Sequence, residues 1–322
     1  MRDTDEHISR IRVGISTCLL GENVRFDGGH KHDPFLTETL GRFFEWVPVC
    51  QEVEIGLGTP RESLRLIGTP ESPRLVAPRS GKDHTETMQR YAASRVEKLA
   101  ASGIHGYVLK KDSPSCGMLR VRVYGDSGMA VRTGRGLFAD ALLRRFPLLP
   151  VEEEGRLHDP ALRENFIERV FALHRWQEFL KTKPRPKDLV AFHTGQKLTL
   201  MAHSPAHYQK LGQLVAKAGR APLAETLAAY GGTFMEGLGV RATTKKHANV
   251  LYHLAGYLKD ALDAGDKAEL VARFEDYRKG LVPLIVSLTI LTHHFRRHPN
   301  PWVSGQTYLN PYPTELMLRN HV

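Results

Sequence analysis

The chain has three cysteines in 322 residues, and each lies just past an apolar run. Arg12-Val13-Gly14-Ile15-Ser16-Thr17 leads into Cys18, and Trp46-Val47-Pro48-Val49 leads into Cys50. Ile104 to Leu109 precedes Lys110-Lys111-Asp112-Ser113-Pro114-Ser115-Cys116-Gly117. A free cysteine usually packs as a small hydrophobe, yet none of these sits inside its apolar run. Their neighbours are Gly, Ser, Pro or an acid, which give a packing thiol little to pack against. Three strands of an α/β sheet that each end in a cysteine would converge on one point, at the carboxyl edge where ligands bind. Three thiols there could close a zinc site with a histidine or carboxylate as fourth ligand. One could serve as a nucleophile activated by a histidine. They could also hold three irons of a [4Fe–4S] cluster and leave the fourth iron open, as a Lewis acid for soft sulfur donors. Spacing does not choose among these, since 31 residues lie between Cys18 and Cys50 and 65 between Cys50 and Cys116.

The elements that must position these residues can be read from periodicity. Between the first two cysteines, Gly21 to Asp33 reads as an exposed loop that offers Asn23 and Arg25 to a ligand, and Phe35 to Phe44 as a short helix. Glu52 stands two positions after a cysteine on a turn and is the candidate general base, with Glu54 as its competitor. Gly56 to Gly81 reads as loops with one strand near Leu75-Val76-Ala77, in which Arg61, Arg65 and Arg79 meet phosphate or water. Asp83 to Ser102 has helical spacing, closed by Gly103 as a C-cap. Leu119 to Tyr124 alternates as a strand, Gly125 to Gly136 reads as a glycine-rich loop, Leu137 to Phe146 as a helix, and Leu148 to Glu152 as a last strand. Strands alternating with helices favour an open, Rossmann-like α/β sheet over residues 1–157. Glu152-Glu153-Glu154-Gly155 is the exit from that domain.

From Asp159, an N-cap followed by Pro160, the pattern changes to long helices, and residues 158–322 read as an all-α domain. Charge divides at the same place: through Leu157 there are 23 Lys and Arg against 21 Asp and Glu, and from His158 onward 22 against 14. The excess of +8 in the second part suggests a polyanionic partner, with nucleic acid leading. Lys197, Lys210, Lys245, Lys246, Arg296 and Arg297 are candidate phosphate contacts, and Trp302, Tyr308 and Tyr312 candidate stacking platforms. His193, His203, His207, His247, His253, His293, His294 and His298 show no HExxH or paired His-carboxylate spacing, so they read as helix and cap residues. Met1 to Arg10 lacks the apolar core of a signal peptide, and no apolar stretch reaches the ~20 residues of a membrane span. The expectation is a cytoplasmic protein, where reducing conditions suit thiolate ligands.

Ser16-Thr17-Cys18-Leu19-Leu20-Gly21, Val24-Arg25-Phe26-Asp27-Gly28-Gly29, Pro48-Val49-Cys50-Gln51-Glu52, Gly58-Thr59-Pro60-Arg61 and Ser113-Pro114-Ser115-Cys116-Gly117 together resemble the motif series of the thiouracil desulfidase (TudS) family. The second half resembles the YbgA-type helical domain, and the pairing is similar to that of the RudS-type tRNA 4-thiouridine desulfidases. Gln51 departs from the family, which often has proline there. The resemblance implies a [4Fe–4S] cluster on Cys18, Cys50 and Cys116 with one open iron, and non-redox removal of sulfur from a thiolated pyrimidine. It favours Ser113 as the catalytic partner of Glu52, with Asn23, Arg25 and Ser115 toward substrate. It also implies a 4-thiouridine-containing tRNA as partner, gripped by the basic helical domain. The alternatives are a desulfidase of free thiouracil or thiouridine nucleotides, a zinc-dependent nucleobase hydrolase or deaminase using His30 or His32, and a non-catalytic RNA-binding protein.

Overall fold

The structure, a computed structural model, describes residues 11–321; the charged segment Met1–Arg10 read above lies outside them. The chain forms two compact units, one ending at His158 and the other starting at Asp159.

The first unit is built on β1 (Ile11–Ser16), β2 (Phe44–Val49), α1 (Gln51–Glu54), β3 (Arg65–Thr69), β4 (Ser72–Val76), α2 (Thr85–Ser102), β5 (Gly106–Leu109), β6 (Val121–Tyr124), β7 (Ala130–Gly134), α3 (Leu137–Arg145) and β8 (Val151–Glu153). Four strands form a parallel sheet in the order β2-β1-β5-β8. All four residues of β5 are buried, as expected of a strand covered on both faces. Met88, Ala92, Val96 and Leu99 recur at helical spacing along α2 and form its buried face. The helix stops at Gly103, whose φ of 66° is the left-handed conformation that glycine takes without strain. Gly14 on β1 pairs with Tyr107 on β5. A Cβ at Gly14 would lie 2.2 Å from the Tyr107 ring, so the absent side chain lets that fully buried tyrosine lie across the strand.

Three expectations change here. Gly56 to Gly81 holds two strands rather than one, β3 and β4, paired antiparallel. Gly125 to Gly136 is not all loop: Ala130–Gly134 forms β7, antiparallel to β6. With β3 and β4 this makes a second, mixed sheet in the order β4-β3-β6-β7. Four of the five residues of β7 are exposed, so it has no apolar alternation by which to be read as a strand. Phe35 to Phe44 is a π-helical turn over Phe35–Thr39 and a 3-10 turn over Leu40–Arg42, and β2 then starts at Phe44.

The second unit is helical: α4 (Pro160–Lys181), α5 (Pro186–His203), α6 (Pro205–Ala216), α7 (Leu223–Gly239), α8 (Thr244–Ala255), α9 (Ala264–Arg278), α10 (Leu284–Arg297) and the short α11 (Pro301–Ser304). Four of these open on proline, where a missing N–H costs nothing. Asp159 caps α4 by accepting the Leu162 N–H at 2.9 Å. One core cluster joins Leu198, Val250, Leu251, Leu254, Leu270, Phe274, Leu284, Leu291 and Tyr308 from α5, α8, α9, α10 and the tail. Among the described residues no helix is long and apolar enough to cross a membrane.

Candidate active site

β2, β1 and β5 are adjacent and parallel, so the turns leaving their carboxyl ends meet. A 3-10 turn over Thr17–Leu20 holds Cys18, whose carbonyl accepts the Lys31 N–H at 2.8 Å. Cys50 is the N-cap residue of α1. Cys116 lies on a turn in which Ser113 Oγ accepts its backbone N–H at 3.2 Å and that of Ser115 at 3.3 Å. The three cysteines line one cavity of about 360 Å³, together with Arg25, Lys31, Glu52, Arg61, Lys110 and Ser113. That volume is in the range of small-molecule sites.

All three cysteines are free. Burial, with the neighbouring Cys116 next, pushes the Cys18 thiol up to about 12. Burial pushes Cys116 up to about 11 and also raises Cys50. Each thiolate repels the others, so a bound cation is the natural way to hold all three charges. Among the described residues no three His, Cys, Asp or Glu are grouped so as to hold a metal ion; the thiols share a cavity wall. Thiols are the donor type that an iron–sulfur cluster takes from a protein.

Glu52 and Glu54, alike in sequence, face different ways. Glu52 lines the cavity. Its Oε2 accepts from Arg61 Nε at 3.0 Å and from the second guanidinium nitrogen at 2.7 Å, and its Oε1 accepts from the Ser115 hydroxyl. Arg61 is anchored in turn on the carbonyls of Val24 at 2.9 Å and Gly58 at 2.8 Å. Glu54 turns to α2, where Tyr91 donates to it at 2.7 Å and Arg95 pairs with it at 3.2 Å. Of the two serines, Ser113 lines the cavity and pins the Cys116 turn, while fully buried Ser115 touches Glu52.

Arg25 lines the cavity and pairs with Asp27 at 3.3 Å; Asn23 is exposed and outside the lining. His32 Nε2 lies 2.9 Å from Thr37 Oγ1, and His30 Nδ1 accepts the His32 N–H at 3.1 Å. Neither histidine lines the cavity. Reading by residue type missed the supports. Arg61 carries Glu52, and the acidic run that marked a domain exit is buried and structural. Glu154 accepts from Lys110 Nζ and from the Lys111 N–H at 2.8 Å, and Glu153 takes the Met118 N–H at 2.7 Å. The signal was present in the position of those acids, at the end of β8 and the same sheet edge.

In the helical unit, Lys245, Arg296 and Arg297 are exposed. Lys197 lies over the Trp302 ring at 5.3 Å, and Lys246 Nζ donates to the His203 carbonyl. Tyr308 and Tyr312 are not stacking platforms. Tyr308 is fully buried with its hydroxyl 2.8 Å from His247, and buried Tyr312 donates to Glu164 at 2.6 Å. Trp302 is half-buried and stacks on exposed Tyr257 at 4.8 Å.

Residues 13–154 match the family described as 2-thiouracil desulfurase, and residues 197–313 match a protein of unknown function, DUF1722. The chain is 31% identical over 153 residues to "Uncharacterized protein YbgA" of Escherichia coli (strain K12), covering 47% of this chain and 90% of that protein. It is 30% identical over 136 residues to "Uncharacterized protein YbbK" of Bacillus subtilis (strain 168), covering 41% and 88%. A solved structure of the [4Fe-4S]-dependent thiouracil desulfidase TudS is 34% identical, with a TM-score of 0.38, over 46% of this chain and 94% of that one.

Proposed function

We propose, from the premise that this chain belongs to the 2-thiouracil desulfurase family and carries a DUF1722 domain beyond it, that it is a desulfidase of 4-thiouridine in tRNA. The observation that carries the reading is the meeting of Cys18, Cys50, Cys116 and Glu52 on one cavity wall. Cys18, Cys50 and Cys116 would hold a [4Fe–4S] cluster, which when bound supplies an open, sulfur-seeking Lewis-acidic iron. Glu52, held by Arg61 and Ser115, accepts a proton from the water that attacks C4 of the base. The C–S bond breaks, the carbonyl oxygen comes from water, and sulfur leaves as hydrosulfide, with no net redox change. Arg25, paired with exposed Asp27, is one of the cavity's cations and the one assigned here to a substrate oxygen. Ser113 keeps the Cys116 turn closed while this happens.

Two features support tRNA over a free thiobase. The second part of the chain holds 22 Lys and Arg against 14 Asp and Glu, and exposed Lys245, Arg296 and Arg297 are free for phosphates. Extracting a stacked base costs on the order of a few kcal/mol, which backbone contacts of that kind offset.

The test is anaerobic purification, iron and sulfide analysis, and incubation with thiolated tRNA and with free 4-thiouracil. Wild-type protein should bind iron, bleach the thiouridine absorbance and release sulfide. Cys116→Ala should lose iron and activity together. Glu52→Gln should keep iron and lose about 10²–10⁴-fold in rate, the usual share of a general base. Turnover of free thiouracil alone would remove the tRNA assignment, and an iron-free protein that releases no sulfide would sink the reading.

A further inference from the structure

The cysteine cavity carries one polar group that neither Glu52, Arg61 nor the two serines engage. Gln51 is the first residue of α1, between Cys50 and Glu52, and it lines the cavity with only 3% of its surface exposed. Its amide nitrogen Nε2 is buried and has no hydrogen-bond partner. Among the described residues of the cavity lining, no other side chain has a buried nitrogen or oxygen in that state. The acceptors nearest in sequence are committed elsewhere. Arg61 and Ser115 occupy the two oxygens of Glu52, and Ser113 Oγ takes backbone N–H groups of the Cys116 turn. A buried amide donor without an acceptor is destabilising, so its presence calls for a reason.

The backbone does not supply one. The first helical position needs no N–H and admits proline, and Cys50 before it is extended, with φ −121° and ψ 90°, as a residue preceding proline is. Packing does not supply one either, since an apolar side chain of similar volume would fill the space without a stranded dipole. What the amide adds is a donor and an acceptor side by side in one plane, on the wall of a cavity of ligand size.

We propose, on the premise of the desulfidase reading, that Gln51 determines specificity: Nε2 donates to a ring carbonyl oxygen of the thiolated pyrimidine, and the oxygen of the same amide accepts the neighbouring ring N–H. In 4-thiouracil these are O2 and N3–H. O2 has two lone pairs, so Nε2 and Arg25 can share it. A thiopyrimidine that lacks this oxygen leaves the amide donor stranded in the complex and is rejected.

The test uses wild type, Gln51→Leu and Gln51→Pro, all loaded with iron. Turnover of 4-thiouracil is compared with that of pyrimidine-4(3H)-thione, which has no O2. Calorimetric titration compares uracil with pyrimidin-4(3H)-one, where nothing is turned over. Wild type should favour 4-thiouracil about 10–100-fold in kcat/KM, through KM rather than kcat, and should bind uracil tighter than its counterpart by a similar factor. Both ratios should shrink about tenfold in the two variants, with iron content kept. Gln51→Leu should unfold in urea at the wild-type midpoint or above it, because no protein partner is lost. Ratios that the variants leave unchanged overturn the proposal, as does a wild type that treats the paired compounds alike. A lower urea midpoint or lost iron in Gln51→Leu assigns the amide to the protein itself and also overturns it. Turnover without the contrast removes this proposal alone, the uracil contrast without turnover removes the desulfidase reading alone, and absence of both removes the two together.

Discussion

Arg61 and Ser115 hold the two oxygens of Glu52 from different sides, and that clamp sets the residue-scale expectations. Lysine cannot reproduce the two-nitrogen grip of a guanidinium. Arg61→Lys should therefore lower kcat of desulfidation about tenfold with KM little changed, as measured under steady state, because it disorders the base rather than the substrate. Ser115→Ala should behave in the same way, while Ser113→Ala should first loosen the Cys116 turn and so reduce iron retention. The thiols themselves give a pH test. With Cys18 pushed up to about 12 and Cys116 to about 11, the iron-free protein has little thiolate at neutral pH. Alkylation of these two by iodoacetamide at pH 7.5 should be on the order of 10²-fold slower than that of a free cysteine, and should accelerate as pH rises; alkylation at the ordinary rate would mean that water reaches both thiols. Glu52 and Glu54 cannot be told apart by type or by distance from Cys50. Only the packing of α1, which turns Glu54 to Tyr91 and Arg95, separates them.

Elements place these side chains, and glycine marks where two come too close for a Cβ. A Cβ on Gly136 would stand 2.4–2.7 Å from the backbone of Ser115 and Cys116. Gly136→Ala must therefore push the start of α3 away from the Cys116 turn. Iron content and activity should fall together, with urea unfolding destabilised by about 1–3 kcal/mol, the usual cost of overpacking. In the helical unit the His203–Glu168 pair links stability to pH. Although burial alone would lower it, the Glu168 carboxylate leaves the His203 value raised above 6.5. Its contribution is fully present below pH 6.5 and is lost as pH rises through the raised value. Glu168, held below 4.5 by the same partner against the opposing effect of burial, contributes above pH 4.5 and loses that as pH falls. The urea midpoint of the wild type should therefore decline on the alkaline side more than that of His203→Gln. Equal slopes would show that the pair is not charged. The parallel strands could be read because buried strands are apolar runs. β7 could not, because an exposed strand is held by its partner's backbone rather than by its own pattern.

At the scale of the whole molecule, charge is the property that the two parts of the chain do not share. Binding of tRNA by the full chain should weaken steeply with salt, since each neutralised phosphate releases counterions. Replacing exposed Arg296 and Arg297 by Ala should weaken binding about equally for different RNA sequences and reduce the slope of log K against log salt by about 1 per lost contact. A slope unchanged by both substitutions would move the RNA surface elsewhere on the helical unit. Desulfidation of free thiouracil by that double variant should remain at the wild-type level.

The sequence by itself determined the class of each part, the division of charge and the three cysteines at strand ends. Those features follow from local periodicity and composition, which each segment carries alone. Tertiary structure decided that Arg61, 9 residues beyond Glu52, becomes its clamp, and that Ser115 rather than Ser113 touches it. It decided that Glu153 and Glu154 hold the backbone around Cys116 and Lys110. It also took Tyr308 and Tyr312 out of solvent and into a buried charge network with Glu164 and His247. Such partnerships join residues from separate segments, and their energy comes from burying charge with a specific partner, so no stretch of chain shows them until the fold brings both ends together.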